Sequence, residues 1–222
     1  MNLVDYPDDD GMKVWLDRNE VELLLNEATD TEQKIAFLFG VRSGLRVSEI
    51  VGTGDRPGVR PSDIVETTAG PRVRVWNAKG GKHRESPAPP ELVHTVDAYA
   101  DARREGSDIP LVDRVPRTVE RWVARAAERL QERTGDDGWA YLTPHDLRRT
   151  WATMLAADEV DPLLVCDWGG WEDIEVFLDH YRGSYSPEVQ RRELEKVDWL
   201  GGSGDSPRDD GEAPATTFEL NE

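Results

Sequence analysis

The chain has 222 residues, and its 45 acidic and 27 basic side chains give a formal net charge of −18. Its only cysteine, Cys166, excludes an internal disulfide framework and the cysteine-rich zinc modules. No apolar run approaches the roughly 20 residues that span a bilayer, and the acidic N-terminus is the reverse of a secretory signal peptide. We therefore expect a soluble, cytoplasmic protein that does not associate with membranes.

The negative charge bears on the possible partners. Nucleic-acid binding depends largely on neutralisation of phosphates by Lys and Arg, so an acidic chain ordinarily argues against it. However, only five of the 27 basic residues are lysines, a composition typical of proteins adapted to molar salt. At about 1 M salt the screening length falls to roughly 3 Å, so local basic clusters matter more than net charge. We predict a halophilic source, with an ordinary acidic protein as the alternative, and DNA is not excluded as a partner.

The predicted elements follow one another without an internal repeat. We predict a flexible acidic segment over residues 1–12, one domain over 13–200 and a disordered acidic tail over 201–222. Asp17 and Glu20 form a capping box that starts the first helix. Further helices are predicted near 31–42, 46–51, 91–104, 117–133, 144–157, 161–168, 173–182 and 187–199. A strand at 73–76, a turn at 79–82 and a return strand at 83–87 complete a mainly α fold with a small antiparallel β-hairpin or sheet.

The first candidate site residues follow the helix break at Ser43-Gly44. Arg46 begins a short helix, and Glu49, three residues on, can hold the Arg46 guanidinium in place. The hairpin turn carries flexible lysines that can reach into a groove. Segment 72–84 contains five basic residues and no acidic one, so we predict DNA contacts from four of them, Arg72, Arg74, Lys82 and Arg84.

A second set of candidates opens the helix near 144–157. Thr143 is a good N-cap and Pro144 suits the first helical position. His145 and Arg148 then lie three residues apart on one face of the first turn. A helix N-terminus favours anions, and an arginine can bind a phosphate with two hydrogen bonds. A phosphate site is one interpretation, and a capped helix with a solvent-facing histidine and arginine is the other.

The chain contains four segments, in order, that resemble successive motifs of the tyrosine recombinase (phage integrase) family: SGLRVSEI, AKGGKHRESPAPP, HDLRRTWAT and GGWEDI…HY. The resemblance covers about residues 15–200. It implies the catalytic-domain fold of that family and an enzyme that cleaves and rejoins DNA through a 3′-phosphotyrosyl intermediate. It also implies a double-stranded DNA partner, no metal and no cofactor.

The same resemblance implies a role for each site residue. Tyr181 attacks the scissile phosphate, with Tyr185 as the competing nucleophile because the spacing from Trp171 to Tyr181 is one residue longer than usual in the family. Lys79, in preference to Lys82, protonates the leaving 5′-oxygen. The other implied roles are phosphate clamping by Arg46 and Arg148, completion of the pocket by His145 and Trp171, and structural support by Glu49.

The resemblance also implies an assembly. We expect free monomers that form a tetramer on paired DNA sites, with residues 187–200 docking on a neighbouring copy. Larger members of the family carry an N-terminal helical domain that encloses DNA, and the match here begins close to Met1. We therefore expect weak, salt-sensitive DNA binding by this chain alone.

Two other functions stay open at this point. A chain of this fold that has lost catalysis is a DNA-binding module, and a type IB topoisomerase uses similar chemistry. A further feature, which we name the arginine row, is predicted to be either an ion-paired, solvated helix face or a DNA-backbone track. The arginine row recurs every four residues and consists of Arg117, Arg121, Arg125, Arg129 and Arg133.

Overall fold

The computed structural model describes residues 1–5, 12–54, 56–76, 83–103, 108–172, 174–175, 177 and 187–197, with the backbone alone at residue 56 and residues 187–190. The chain divides into two units, Met1–Tyr185 and Ser186–Glu222. The described part of the second unit contains helix α8 (Pro187–Glu195) and an ion pair of 2.7 Å between Lys196 Nζ and Glu193 Oε1.

The described helices of the first unit are α1 (Arg18–Asn26), α2 (Thr31–Ser43), α3 (Val47–Val51), α4 (Pro90–Arg103), α5 (Pro116–Thr134), α6 (Pro144–Ala157) and α7 (Pro162–Gly169). Its described strands are β1 (Asn2–Asp5), β2 (Met12–Trp15), β3 (Gly52–Thr53), β4 (Arg56–Pro57), β5 (Ile64–Val65), β6 (Arg72–Val75) and β7 (Arg84–Pro87). Short 3₁₀ turns lie at Pro61–Asp63 and Asp137–Tyr141. The predicted mainly α fold with small antiparallel sheets is confirmed.

Three predicted segments fall wholly or mostly outside the described residues: the turn at 79–82, the helix near 173–182 and the tail at 201–222. The other predicted helices agree with the structure to within a few residues at either end. Within the described ranges, no helix combines the length and the apolar character needed to cross a membrane.

The N-terminus differs from the sequence prediction. Residues 2–5, predicted to be flexible, form β1 and pair with β2, with Leu3 opposite Val14. β2 in turn lies against α6, where the Val14 N–H donates to Asp146 Oδ1 at 3.2 Å and the Leu16 N–H donates to Thr150 Oγ1 at 3.0 Å. The local sequence is acidic and does not predict β1. The strand depends on β2, and β2 depends on hydrogen bonds to a helix that is more than 130 residues away in the sequence.

Helix α2 lies at the centre of the core, where it contacts α1, α4, α5 and α6. Its residues from Ile35 to Phe39 are fully buried, so this central stretch of the helix is apolar on all sides. It ends at Gly44, whose φ of 63° lies in the left-handed region. A Cβ at Gly44 would lie 2.2 Å from Trp151 Cε3. Glycine is therefore required both for the turn and for the close approach of α6.

Strands β5, β6 and β7 form an antiparallel sheet in that order. The predicted hairpin is confirmed, with Val75 of β6 opposite Arg84 of β7. Sequence patterning does not predict β5, because two residues are too few to show alternation. The sheet is attached to the end of α2: Ser43 Oγ donates to the Pro87 carbonyl at 2.7 Å, and Ser86 Oγ donates to the Ser43 carbonyl at 2.5 Å. These bonds bring β7 beside the start of α3.

Candidate active site

Arg46 lies at the junction of α2 and α3, where it is the N-cap of α3. Glu49 is almost fully buried; its Oε2 accepts the Arg46 backbone N–H at 2.7 Å, and its Oε1 accepts Arg46 Nη1 at 2.9 Å. The Arg46 side chain keeps 27% of its surface exposed. Glu49 therefore fixes one edge of a guanidinium that solvent can still reach.

Arg84 occupies a different place from the one that the sequence predicted. It was expected among the DNA contacts, but its side chain is 5% exposed. Its Nη2 donates to Glu49 Oε2 at 2.6 Å, and its Nη1 donates to the Trp168 carbonyl. The strand alternation explains the difference, because Arg84 shares a face with the buried Ser86, and that face packs on the body of the protein. Arg84 is therefore too deeply buried to be one of the DNA contacts.

The burial of Arg84 has an electrostatic consequence. Desolvation lowers the pKa of its guanidinium, while the charge and the hydrogen bond of Glu49 act in the opposite direction. An arginine nevertheless stays protonated in a protein. Glu49 therefore supplies the counter-charge for two arginines at once, one buried and one accessible.

Arg148 begins the second turn of α6 and is only 2% exposed. Its Nη1 donates to the Gly44 carbonyl, 104 positions away, and its Nη2 donates to the Gly169 carbonyl at 2.7 Å. The ring of Trp171 covers the guanidinium, with 3.9 Å between the Arg148 Cζ and the ring centroid. Two backbone carbonyls and an indole thus fix the orientation of this arginine.

Trp171 is itself held by aromatic neighbours in the apolar cluster between α6 and α7. It stacks on Trp151 with 6.3 Å between centroids and an interplanar angle of 7°. Phe177 meets it edge to face at 5.2 Å. The Trp171 backbone N–H donates to the Cys166 carbonyl at 2.9 Å. The indole therefore has a defined position above Arg148.

The start of α6 has the cap that the sequence predicts. The Thr143 N–H and Oγ1 donate to Asp146 Oδ2 at 2.9 and 2.6 Å. Desolvation raises the pKa of the Asp146 carboxyl, although the hydrogen bonds from Thr143 and the charge of Arg149 act against this rise. His145, at the second helical position, is exposed, whereas Arg148 on the next turn is buried.

Three arginines and one glutamate thus share a network that joins the four sequence segments, and we name it the arginine cluster: Arg46, Glu49, Arg84 and Arg148. Arg84 and Arg148 donate to the consecutive carbonyls of Trp168 and Gly169. Sequence reasoning missed these carbonyls and the one of Gly44, because backbone acceptors carry no side-chain signal. The one sequence signal near these carbonyls is the glycines beside them, since glycine marks sharp backbone turns.

Four candidate residues, Lys79, Lys82, Tyr181 and Tyr185, lie outside the described residues. The remaining hairpin candidates are described. The guanidinium of Arg72 lies 5.1 Å from the centroid of the Trp168 ring. Arg74 Nε forms an ion pair of 3.1 Å with Glu85 Oε1 and keeps 41% of its side chain exposed.

The arginine row lies on the outer face of α5. Toward the end of the helix, Arg129 Nε donates to Glu27 Oε2 at 2.7 Å, and Arg133 Nη1 also pairs with Glu27. This glutamate is the C-cap of α1, which packs against α5. This part of the row is an ion-paired face.

Comparison with known proteins gives one consistent family. Residues 14–187 match the Phage integrase family. The tyrosine recombinase XerA of Thermococcus kodakarensis is 32% identical over 150 residues, which cover 66% of this chain and 50% of that protein. A solved XerA recombinase superposes with a TM-score of 0.65 at 21% identity, over 82% of this chain and 64% of that chain. The Tn1549 transposon integrase in complex with circular intermediate DNA gives a TM-score of 0.62 at 18% identity, over 86% and 68%.

These solved structures are only 21% and 18% identical to this chain, so the likeness to them shows the fold and nothing more. The chain spans about half the length of the curated relatives that it matches. The family match, in contrast, includes all of α1 to α7 and the whole arginine cluster. The chain therefore belongs to the phage integrase family.

Proposed function

We propose that this protein is a site-specific DNA recombinase that cleaves and rejoins double-stranded DNA through a 3′-phosphotyrosyl intermediate. The observation that supports this best is the arginine cluster, which joins the four motif segments through Glu49, Arg84 and the carbonyls that anchor Arg148. A covalent intermediate conserves the energy of the phosphodiester bond, so strand exchange needs no added energy source.

Arg46 and Arg148 are the proposed phosphate ligands. Arg46 is accessible while Glu49 holds one edge of its guanidinium. An arginine has five N–H donors, so anchoring of Arg148 to two carbonyls is compatible with donation to a phosphate oxygen. Two oriented guanidinium groups stabilise the charge that develops on the phosphoryl oxygens in the transition state. Glu49 and Arg84 act as positioning residues for this pair.

Tyr181 is the proposed nucleophile and Lys79 the proposed general acid. The Tyr181 oxygen forms a bond to phosphorus and loses its proton to solvent, while the bond from phosphorus to the 5′-oxygen breaks. The Lys79 ammonium gives its proton to that oxygen, which leaves as a 5′-hydroxyl. His145 and Trp171 complete the pocket; the indole N–H is only a donor, which suits positioning better than proton transfer.

We further propose that Arg72, Arg74 and Lys82 contact the DNA around this site, because the two described arginines lie on the hairpin and remain partly exposed. The Tn1549 integrase is bound to DNA in its solved structure, which supports a DNA partner here. In this proposal the protein is a free cytoplasmic monomer that forms a tetramer on paired sites. The acidic, lysine-poor composition supports an origin in a halophilic archaeon or its virus.

The test is a covalent trap with a nicked DNA substrate from which the 5′-hydroxyl fragment diffuses away. Candidate half-sites come from the DNA that flanks the gene, and the reaction is run in concentrated potassium chloride. We expect a protein–DNA adduct with the wild type and with Tyr185→Phe, and none with Tyr181→Phe. If the adduct is lost only in Tyr185→Phe, the proposed mechanism stands and Tyr185 is the nucleophile. Absence of any adduct on DNA that is demonstrably bound indicates a non-catalytic DNA-binding module.

A further inference from the structure

Strand β2 and the residue that follows it run along one side of α6 and are attached to it by two hydrogen bonds. The Val14 N–H donates to Asp146 Oδ1 at 3.2 Å, and the Leu16 N–H donates to Thr150 Oγ1 at 3.0 Å. Both acceptors are buried, and Thr150 has no exposed surface. The other edge of β2 pairs with β1. Two side chains of a helix thus take the place that the carbonyls of a third strand would have.

The dimensions of the two elements explain how both bonds form. Val14 and Leu16 are two residues apart, which corresponds to about 6.6 Å in an extended chain. Asp146 and Thr150 are four residues apart, which corresponds to about 6.0 Å along an α-helix. The donors and the acceptors therefore lie at matching intervals, and the strand is attached to α6 over one full helical turn.

Arg148 lies between these two anchors along the helix but on the opposite side of it. At roughly 100° per residue, its direction is about 180° from the midpoint between Asp146 and Thr150. On that side its guanidinium donates to the carbonyls of Gly44 and Gly169. Those carbonyls belong to other parts of the chain, so α6 is held between β2 on one side and the acceptors of Arg148 on the other.

The hydroxyl of Thr150 needs a reason to be in the interior. A buried hydroxyl is costly unless it is hydrogen-bonded, and valine has nearly the same shape without that cost. The Leu16 N–H is the partner that explains the hydroxyl, because Leu16 is only 2% exposed and its N–H would otherwise be buried without this acceptor. The residue type at position 150 therefore fits the attachment of β2.

We propose that Asp146 and Thr150 are positioning residues for Arg148: by accepting these two N–H groups, they fix the place of α6 relative to the carbonyls that anchor the guanidinium. The inference rests on the proposed function, in which Arg148 stabilises the charge on the phosphoryl oxygens. Displacement of a catalytic group by about 1 Å can cost on the order of 100-fold in rate. Loss of one anchor allows a smaller displacement, because α2 still packs against α6.

A substrate without charge at the scissile phosphate distinguishes this role from a general effect on folding. In a methylphosphonate, a methyl group replaces one non-bridging oxygen and removes the negative charge. The same bonds form and break, but less charge develops on the oxygens, so the orientation of an arginine matters less. A defect that acts through Arg148 should therefore shrink on this substrate, whereas a defect in folding or in DNA binding remains.

The variants delete one hydrogen bond from either side. Thr150→Val keeps the shape and removes the acceptor, whereas Thr150→Ser keeps a hydroxyl and tests for rescue. An ester oxygen in place of the Leu16 backbone N–H removes the donor and leaves Thr150 intact. Arg148→Ala is the control for loss of the phosphate ligand. Gly135→Ala is the control for stability alone, because it strains the end of α5, where a Cβ would have no described atom within 4 Å.

We would measure the rate of adduct formation on both substrates with the whole chain, after urea unfolding has shown that each variant is folded. With phosphate, Thr150→Val and the Leu16 ester should react about 10-fold more slowly than wild type, and Thr150→Ser and Gly135→Ala within about threefold of it. With methylphosphonate, all four should react within about threefold of wild type. Arg148→Ala should show the largest loss with phosphate and the largest recovery with methylphosphonate.

The outcomes separate this inference from the function on which it rests. No adduct between wild type and the phosphate substrate overturns the proposed function, and the inference with it. An adduct with wild type and an unchanged rate for Thr150→Val overturns the inference alone. A Thr150→Val defect that is equally large with methylphosphonate also overturns it, because the hydrogen bond then acts on something other than the charge of the phosphate. If Thr150→Val does not fold, the Leu16 ester decides by the same criteria.

Discussion

The arginine cluster and the arginine row contain the same side chain in opposite surroundings. In the cluster, Arg84 and Arg148 are buried and donate to Glu49 or to backbone carbonyls. In the row, Arg129 and Arg133 are partly exposed and share the carboxylate of Glu27. Removal of one partner from a buried pair leaves a charge in a medium of low polarity, whereas an exposed charge is hydrated and screened by salt. The burial of each arginine, more than the number of arginines, therefore decides how much its ion pair contributes to the stability of this acidic protein.

The largest effect should come from removal of the charge that the cluster shares. Glu49→Gln keeps the size of the side chain but leaves Arg84 without its counter-charge, so we expect a loss of about 3–5 kcal/mol in the free energy of unfolding. Urea denaturation at constant salt measures it. The matched control is Glu22→Gln, because Glu22 is 57% exposed where it pairs with Arg42 and should cost less than about 1 kcal/mol. Equal losses in the two variants would contradict the comparison.

A smaller but still substantial effect should follow from disturbance of the carbonyl that anchors Arg148. Gly44→Ala strains a residue with a φ of 63° and forces a Cβ to within 2.2 Å of Trp151 Cε3. The left-handed backbone costs about 1–2 kcal/mol, and the overpacking adds about 1–3 kcal/mol. Thermal and urea unfolding give the total, and DNA cleavage should also fall because the acceptor for Arg148 shifts.

Gly135→Ala is the control for the backbone part of this effect. Gly135 ends α5 with a φ of 71°, but a Cβ there has nothing within 4 Å. Gly135→Ala should lower the free energy of unfolding only by the cost of a left-handed backbone, about 1–2 kcal/mol. It should leave DNA cleavage unchanged. If the two glycine variants lose the same stability, the close approach of α6 to Gly44 is not what requires glycine.

The smallest effect belongs to the row, and it depends on pH. Desolvation alone raises the pKa of Glu27, but the hydrogen bonds and charges of Arg129 and Arg133 outweigh it and hold that pKa below its ordinary value. The stabilisation is thus present above the pKa of glutamate in the unfolded chain, about 4.3, and is lost as the pH falls through the lower value in the folded state. The Glu27 side chain is only 9% exposed, but its partners Arg129 and Arg133 are 40% and 52% exposed, so water screens both pairs. Glu27→Gln should therefore cost less than about 1 kcal/mol at pH 7.

The measurement is the difference in unfolding free energy between wild type and Glu27→Gln at pH 7 and near pH 3. The difference should shrink on acidification, and also in molar salt, where exposed charges are screened over a few ångströms, roughly 3 Å at 1 M. A difference that stays constant with pH would mean that the Glu27 charge contributes nothing.

Local signals predicted most of the fold. The Asp17–Glu20 capping box starts α1, and Gly44 ends α2, as the sequence indicates. Elements that depend on distant partners were not predictable in this way. β1 needs β2 and α6, and the inward orientation of Arg84 depends on how the sheet attaches to Ser43. In the site, Arg46 and Glu49 meet as their spacing predicts, and the roles of Lys79 and Tyr181 stay predictions.

The anchors of the buried arginines have a consequence for sequence drift. Arg84 and Arg148 donate to the carbonyls of Gly44, Trp168 and Gly169, and a carbonyl is present in every residue type. Substitution at Trp168 therefore leaves its hydrogen-bond acceptor in place, whereas Gly44 and Gly170, with φ values of 63° and 67°, tolerate little change. Such a site depends mainly on the backbone conformation at a few glycines. Many of the side chains around it can therefore be replaced without loss of these hydrogen-bond acceptors.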